Sequence, residues 1–392
     1  MSKASIPSCY NEQQEGTVYE PIHHLGLAPH VAHKENVLIE IYHPEADRCL
    51  VAARMSGLVL AAAQGDGIPQ TLAIGVDAAG VLLNADTLFI GASLTKLATA
   101  LVILRLADVG ALALDSELAE YLPDAAAAQP GVTLRRILSH SAGLPIDVRP
   151  DRVPYRPGLD WPMLAAACVA EPAVAAPGTL VQYGNHGYGL VAVLIEQICG
   201  TSFASALQDL VLGPLHIEGY LGVEPPRAPA LLADVRGTNP PELAPFTSPF
   251  YRSLALPWAG LVTTATGFLS LVRAFAGHPA GFVSAHIVAD ARRSQTSGLP
   301  GGSGPPLWYA DCAWGLGLDI YGAKQPHWSP PNAAPESFGH AGASGCIAWH
   351  DPASRVSYAI MGTRTAANGW LLRHAPALGA ALLAGRIAGP AR

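Results

Sequence analysis

The feature that most constrains this chain is a helix with almost no polar surface. From Ser93 to about Val109 the sequence reads SLTKLATALVILRLADV, and Leu94, Leu97, Ala98, Leu101, Val102, Leu104 and Leu106 leave no solvent face. A helix that is apolar nearly all round has to be covered on every side, so it belongs in the middle of a domain. Gly110 supplies a stop at its C-terminus. A short run, Thr87–Ile90, leads through Gly91-Ala92 into Ser93, which reads as a strand feeding the helix.

Strand signals gather towards the two ends. Gly57–Gln64 and Thr71–Val76 are apolar runs joined by Gly65-Asp66-Gly67, a hairpin pattern, and Gly345–Trp349 and Val356–Met361 flank a second polar turn. Between them helical stretches alternate with proline-rich loops. Thr133 is placed to cap LRRILSH, Asp115 to cap SELAEYL, and a second apolar helix runs from about Gly187 to Ile198 before Gly200. Ala367–Arg386 reads as a closing helix, and helix is also expected around Ala46–Arg54. Cys168 and Cys199 read as buried thiols, and Gly301–Gly304 as a linker. The pattern predicts an α/β (α+β) fold: an antiparallel sheet flanked by helices, with an inserted all-helical region. The expected division is an N-terminal segment, 1–55, packing on the α/β domain; a sheet domain of 56–105 and 305–392; and a helical, loop-rich domain of 106–304.

Half of the 392 residues are apolar and 14% are charged, enough to bury a large core. The net charge of −7 and the scattered Lys and Arg argue against a nucleic-acid partner. The six cysteines form no C-x-x-C pair, and His23, His24, His30, His33 and His43 lack metal-ligand spacing, so no metal is expected. No apolar secretion segment and no membrane-length run are seen, which sets the expectation of a cytoplasmic protein without a membrane partner.

Three short motifs carry chemistry. In Ser93-Leu94-Thr95-Lys96 the hydroxyl and the amine share a helix face. A serine is a weak nucleophile until a base takes its proton, and burial in an apolar helix lowers a lysine pKa towards that role. At the helix start the Ser93 N–H is free to meet a substrate oxygen. The same residues also fit a plain cap, with Lys96 reaching water. In Tyr183-Gly184-Asn185 a phenol near an ammonium ionises more easily and can relay a proton; alternatively Tyr183 packs in the core and Asn185 caps the next helix. His340-Ala341-Gly342-Ala343 precedes a strand, where small residues let a substrate approach the backbone and a second N–H complete an oxyanion hole; an ordinary glycine turn also fits. Tyr251, Trp258, Trp308 and Tyr309 lie in loops that could roof a cleft or belong to the core.

The order S-x-x-K, Y-x-N, H-x-G resembles the serine β-lactamase and penicillin-binding-protein superfamily, in the branch holding class C β-lactamases, family VIII carboxylesterases and D-aminopeptidases. LRRILSHSAGLP, PGTLVQYGNHGYGLVAVLIEQICG and SFGHAGASGCIAWHDP resemble further segments of that family, and the likeness runs from about Ser56 to Gly362. It implies Ser93 as the acylated nucleophile and Lys96 with Tyr183 as general base and acid. It also implies an oxyanion hole from the Ser93 and Ala343 N–H groups, Asn185 touching the substrate or Lys96, and His340 and Gly342 at the substrate. No cofactor is implied. His340 stands where β-lactamases have the lysine of K-T-G, and a neutral imidazole binds a carboxylate less well. That departure favours an esterase or a peptidase over a β-lactamase, and together with the absent secretion segment and the apolar composition it makes a carboxylesterase acting on a small-molecule ester the first expectation. A D-amino-acid peptidase or amidase, a β-lactamase, and a non-hydrolytic binding protein are the alternatives. The oligomeric state is left open.

Overall fold

The computed structural model describes residues 37–235 and 239–385. Its strands, in chain order, are β1 (Gly57–Gln64), β2 (Gln70–Gly75), β3 (Phe89–Ile90), β4 (Val181–Gln182), β5 (Gly219–Tyr220), β6 (Val262–Thr263), β7 (Gly301–Gly304), β8 (Leu307–Tyr309), β9 (Asp319–Ile320), β10 (Phe338–Gly342), β11 (Cys346–Asp351) and β12 (Val356–Gly362). Six of them form an antiparallel sheet in the order β2-β1-β12-β11-β10-β9. Strands from opposite ends of the chain pair directly, with Leu60 opposite Ile360.

β1 reads GLVLAAAQ, an apolar run and not an alternation, because both faces of the sheet are covered. Val59, Ala61 and Ala63 join one core with the helices Thr95–Asp108 and Ala265–Phe275. Leu58, Leu60 and Ala62 join another core, with Ala46 and Leu50 of the helix Val37–Ala53 and Leu378 and Leu382 of the helix Ala375–Ala384. The Thr95–Asp108 helix is buried at every position from Thr95 to Leu104. Helices Leu134–Leu138, Trp161–Ala170 and His186–Cys199 belong to the insertion. Thr133 does cap the first of these, accepting from the Arg136 N–H, and Gly200 ends the last in a left-handed conformation.

Several local expectations need correction. Asp115 caps nothing: Glu117 is the N-cap of Leu118–Tyr121 in a capping box with Glu120, and Asp115 instead pairs with Arg135 at 2.6 Å. The first helix is longer than Ala46–Arg54, and the closing helix is broken into Trp370–Arg373 and Ala375–Ala384. Cys199 is only partly buried, whereas Cys168 is fully so. Gly301–Gly304 is a strand, paired in parallel with β4 and antiparallel with β8. The histidines at 23, 24, 30 and 33 lie outside the described residues, as does most of the expected 1–55 segment.

Candidate active site

The turn that carries Ser93 is shaped by small residues. Gly91 packs where a Cβ would fall 2.3 Å from the Phe268 ring, and its N–H donates to Leu261 O at 2.9 Å. Ala92 then takes a positive φ of 43°, a strained conformation of the kind that persists where the surroundings over-determine it. Ser93 therefore sits in a 3-10 turn, Ala92–Leu94, and the α-helix begins only at Thr95. From the other side β10 closes in. A Cβ on Gly342 would lie 2.3 Å from Gly91 O and 2.5 Å from Cys346 Sγ, so glycine is what lets the end of β10 approach the turn. Ser93, Gly342 and Ala343 thereby line one cleft. First-turn N–H groups have no helical partner, so Ser93 N–H is available there to an oxygen.

Lys96 Nζ lies 3.2 Å from Ser93 Oγ, 2.8 Å from Asn185 Oδ1 and 3.4 Å from Trp258 O. The side chain is completely buried, and that burial lowers its pKa from 10.5 to about 7, against the opposing pull of Asp147. A neutral amine has two N–H donors and one lone pair. Asn185 Oδ1 and Trp258 O can only accept, so in the neutral form they can take both donors and leave the lone pair to the Ser93 hydroxyl, while the ammonium donates to Ser93 Oγ as well.

Tyr183 follows β4, where its N–H donates to Gly302 O at 3.1 Å. Its side chain lines the same cleft as Ser93, and its ring centroid is 4.9 Å from Lys96 Nζ. Burial pushes the phenol pKa up, and the nearby Ser93 side chain only partly offsets this, contrary to the expectation that the neighbouring amine would ease ionisation. The reason is that an amine with a pKa near 7 offers little positive charge to stabilise a phenolate. His140, Trp314 and His340 surround the ring, at centroid distances of 4.7, 5.6 and 5.8 Å.

His340 also lines the cleft. Burial, and then Lys96, pull its pKa down to about 4, so it is a neutral imidazole at pH 7. Its Nδ1 donates to Ala341 O at 2.7 Å, which leaves Nε2 as an acceptor, buried and without a partner. Asn185 is not in the cleft wall; its contact is with Lys96. Of the four aromatics expected in loops, Trp308 and Tyr309 stand in β8 and Tyr251 in the short helix Pro249–Ser253; Tyr309 lines the cleft and Tyr251 is core. Trp308 is half exposed and outside the cleft, and Trp258 contributes its carbonyl to Lys96.

The cleft has a volume of about 200 Å³, and Leu307, Trp314, Trp328 and Leu371 make it largely apolar. Its wall also holds a buried ion pair that sequence reading missed. Lys324 Nζ donates to Asp319, which also bonds His327 Nε2 at 2.9 Å. Burial alone would raise the Asp319 carboxyl, but Lys324 and His327 outweigh it and hold it well below the ordinary range. A usable signal was scarcity: the chain has four lysines, Lys3, Lys34, Lys96 and Lys324, and the last two are both buried, Lys324 in the cleft wall and Lys96 against Ser93. Gly302 and Asp147 were missed too, and neither belongs to a recognisable motif. Among the described residues no cluster of three or more His, Cys, Asp or Glu is arranged to hold a metal ion.

A family profile described as Beta-lactamase matches residues 45–381. The chain is 28% identical to Penicillin-binding protein 4 of Amycolatopsis lactamdurans over 293 residues, covering 71% of this chain and 73% of that one. It is 30% identical to Esterase EstB of Burkholderia gladioli over 201 residues, 46% of this chain and 51% of that one. Its fold superposes on a penicillin-binding-protein homologue from Caulobacter crescentus with a TM-score of 0.69 at 25% identity, over 88% of this chain and 98% of that one.

Proposed function

The chain belongs to the Beta-lactamase family, whose fold carries serine hydrolases, and from that premise we propose that it is a carboxylesterase working through an acyl-enzyme on Ser93. The observation that carries the reading is the Lys96 amine: fully buried, with a pKa near 7, and 3.2 Å from Ser93 Oγ.

In the first step Lys96 takes the Ser93 proton as Oγ attacks the carbonyl carbon of a small ester. The carbonyl π electrons move to oxygen, which the N–H groups of Ser93 and Ala343 hold. The oxyanion collapses, the C–O bond to the leaving alcohol breaks, and the proton returns to that alcohol through Tyr183. The phenol is suited to this relay because it keeps its proton, donating one as it receives another. Water then attacks the acyl-enzyme with the same groups in reverse, releasing the acid and restoring Ser93.

Three features favour an ester over a charged substrate. His340 is neutral where a cation would recognise a carboxylate, Lys324 is already matched by Asp319, and the remaining wall is apolar. The likeness to Esterase EstB supports the same choice. Likeness to Penicillin-binding protein 4 over a longer span keeps a peptidase as the second reading. The deciding experiment is a panel of phenyl esters, D-amino-acid anilides and nitrocefin, with wild type and Ser93→Ala side by side. Esters are expected to turn over fastest, and Ser93→Ala to lose all turnover and all labelling by a fluorophosphonate while unfolding at the wild-type temperature. Anilides turned over faster than esters would decide for the peptidase, and turnover by Ser93→Ala would end the proposal.

A further inference from the structure

Asp147 lies on the loop after the Leu134–Leu138 helix and is pressed against the Tyr183-Gly184-Asn185 turn. Ile146 O accepts from the Asn185 N–H at 2.6 Å and the His186 N–H at 3.4 Å, and Gln182 Nε2 donates to Leu144 O at 3.1 Å. The approach is so close that a Cβ on Gly184 would lie 2.7 Å from Ile146 O and 2.8 Å from Ile146 Cα. The glycine between Tyr183 and Asn185 is therefore the seat for this loop.

The docked loop brings the Asp147 carboxylate onto Asn185. Oδ1 accepts from the Val148 N–H at 2.9 Å, and Oδ2 accepts from Asn185 Nδ2, also at 2.9 Å. A carboxylate only accepts, so the NH₂ end of the Asn185 amide must face it, and the oxygen end is then turned to Lys96, 2.8 Å away. Without the carboxylate nothing in this pair of bonds prevents the amide from turning over and presenting N–H groups to the amine, where they would compete for the lone pair meant for Ser93.

We propose that Asp147 is a positioning residue for the reaction: through Asn185 it fixes an acceptor on Lys96, and it keeps a negative charge one side chain away from the amine. The inference rests on Lys96 being the base. The groups facing Lys96 come from four places: Tyr183 and Asn185 after β4, Tyr188 in the His186–Cys199 helix, His340 on β10, and His140 beside the Asp147 loop. Burial, with Lys96 next in effect, keeps both imidazoles uncharged near neutral pH, and burial keeps both phenols protonated. Asp147 is the carboxylate that acts on Lys96, and it favours the ammonium. It therefore opposes the effect of burial and raises the pH at which the base becomes free.

The test is the pH dependence of kcat/KM for phenyl acetate in wild type, Asp147→Asn, Asp147→Glu and Asp147→Ala, with thermal unfolding of each. In wild type the acidic limb is expected near the Lys96 pKa of about 7. Asp147→Asn keeps an acceptor for Asn185 but removes the charge, so the limb should move to lower pH by about 0.3–1 unit, the scale of one partly screened charge. Asp147→Ala should show the same shift with a plateau lowered roughly tenfold or more, as expected when a base is misdirected. Asp147→Glu should return the limb towards wild type. A loop with a merely structural role would change the unfolding temperature and leave the limb in place. A wild-type limb that stays put in Asp147→Asn overturns the inference alone; a wild type with no limb near neutrality overturns the Lys96 reading and this inference with it.

Discussion

The Lys96 amine lies 3.2 Å from Ser93 Oγ while no part of its side chain reaches solvent. Proximity and burial act together here. The first lets the amine receive the serine proton, and the second makes it willing to, because a buried ammonium has lost its hydration. The same burial links the base to the stability of the fold, and this gives the first prediction.

Lys96 has a pKa of about 7 in the folded chain and 10.5 when exposed. Between those values the unfolded chain holds a proton that the folded chain has released. The unfolded state then binds more protons, so this residue makes stability rise with pH from about 7 to 10.5. In Lys96→Met that rise should be absent, along with turnover. Urea denaturation of both proteins across the window measures it; identical pH slopes would mean the amine is hydrated and not the base described.

Tyr183→Phe keeps the ring against His140 and Trp314 and removes only the hydroxyl in the cleft that Ser93 also lines. kcat should fall by roughly 10²-fold or more, the scale of a positioned acid–base group. The unfolding temperature should change little. A kcat equal to wild type would take Tyr183 out of the proton path.

Gly301 and Gly302 have φ of 147° and 142°, and a Cβ on Gly302 would lie 2.0 Å from Leu307 O. Gly302→Ala should therefore push β8 away from β7 and disturb the Gly302 carbonyl that holds the Tyr183 N–H. Both the unfolding temperature and kcat/KM are expected to drop, whereas Gly304→Ala, with open space around it, should be the milder change despite its own positive φ. Equal effects at the two positions would show that β7 does not position the tyrosine.

Much of the site was legible beforehand because its parts are local. Ser93 and Lys96 share a helix face, an expectation that needs only helix geometry, and the structure changes it only by inserting a 3-10 turn before Thr95. The Thr133 cap and the Gly200 stop are likewise set within a few residues. Gly301–Gly304 was misread because GGSG has no side chains to announce a strand; it is one because β4 and β8 supply its partners. Asp115 was misread as a cap because the competing Glu117–Glu120 box and the distant Arg135 both had to be weighed.

The residues alone determined that a fully apolar helix would run through the interior with a serine and a lysine at its head, since burial of that helix has no other solution. They could not determine the protonation of Lys96 or Tyr183, the turning of the Asn185 amide by Asp147, or the neutralising of Lys324 by Asp319. Those depend on which distant groups arrive beside each side chain and how much water they displace, and only the assembled fold sets both.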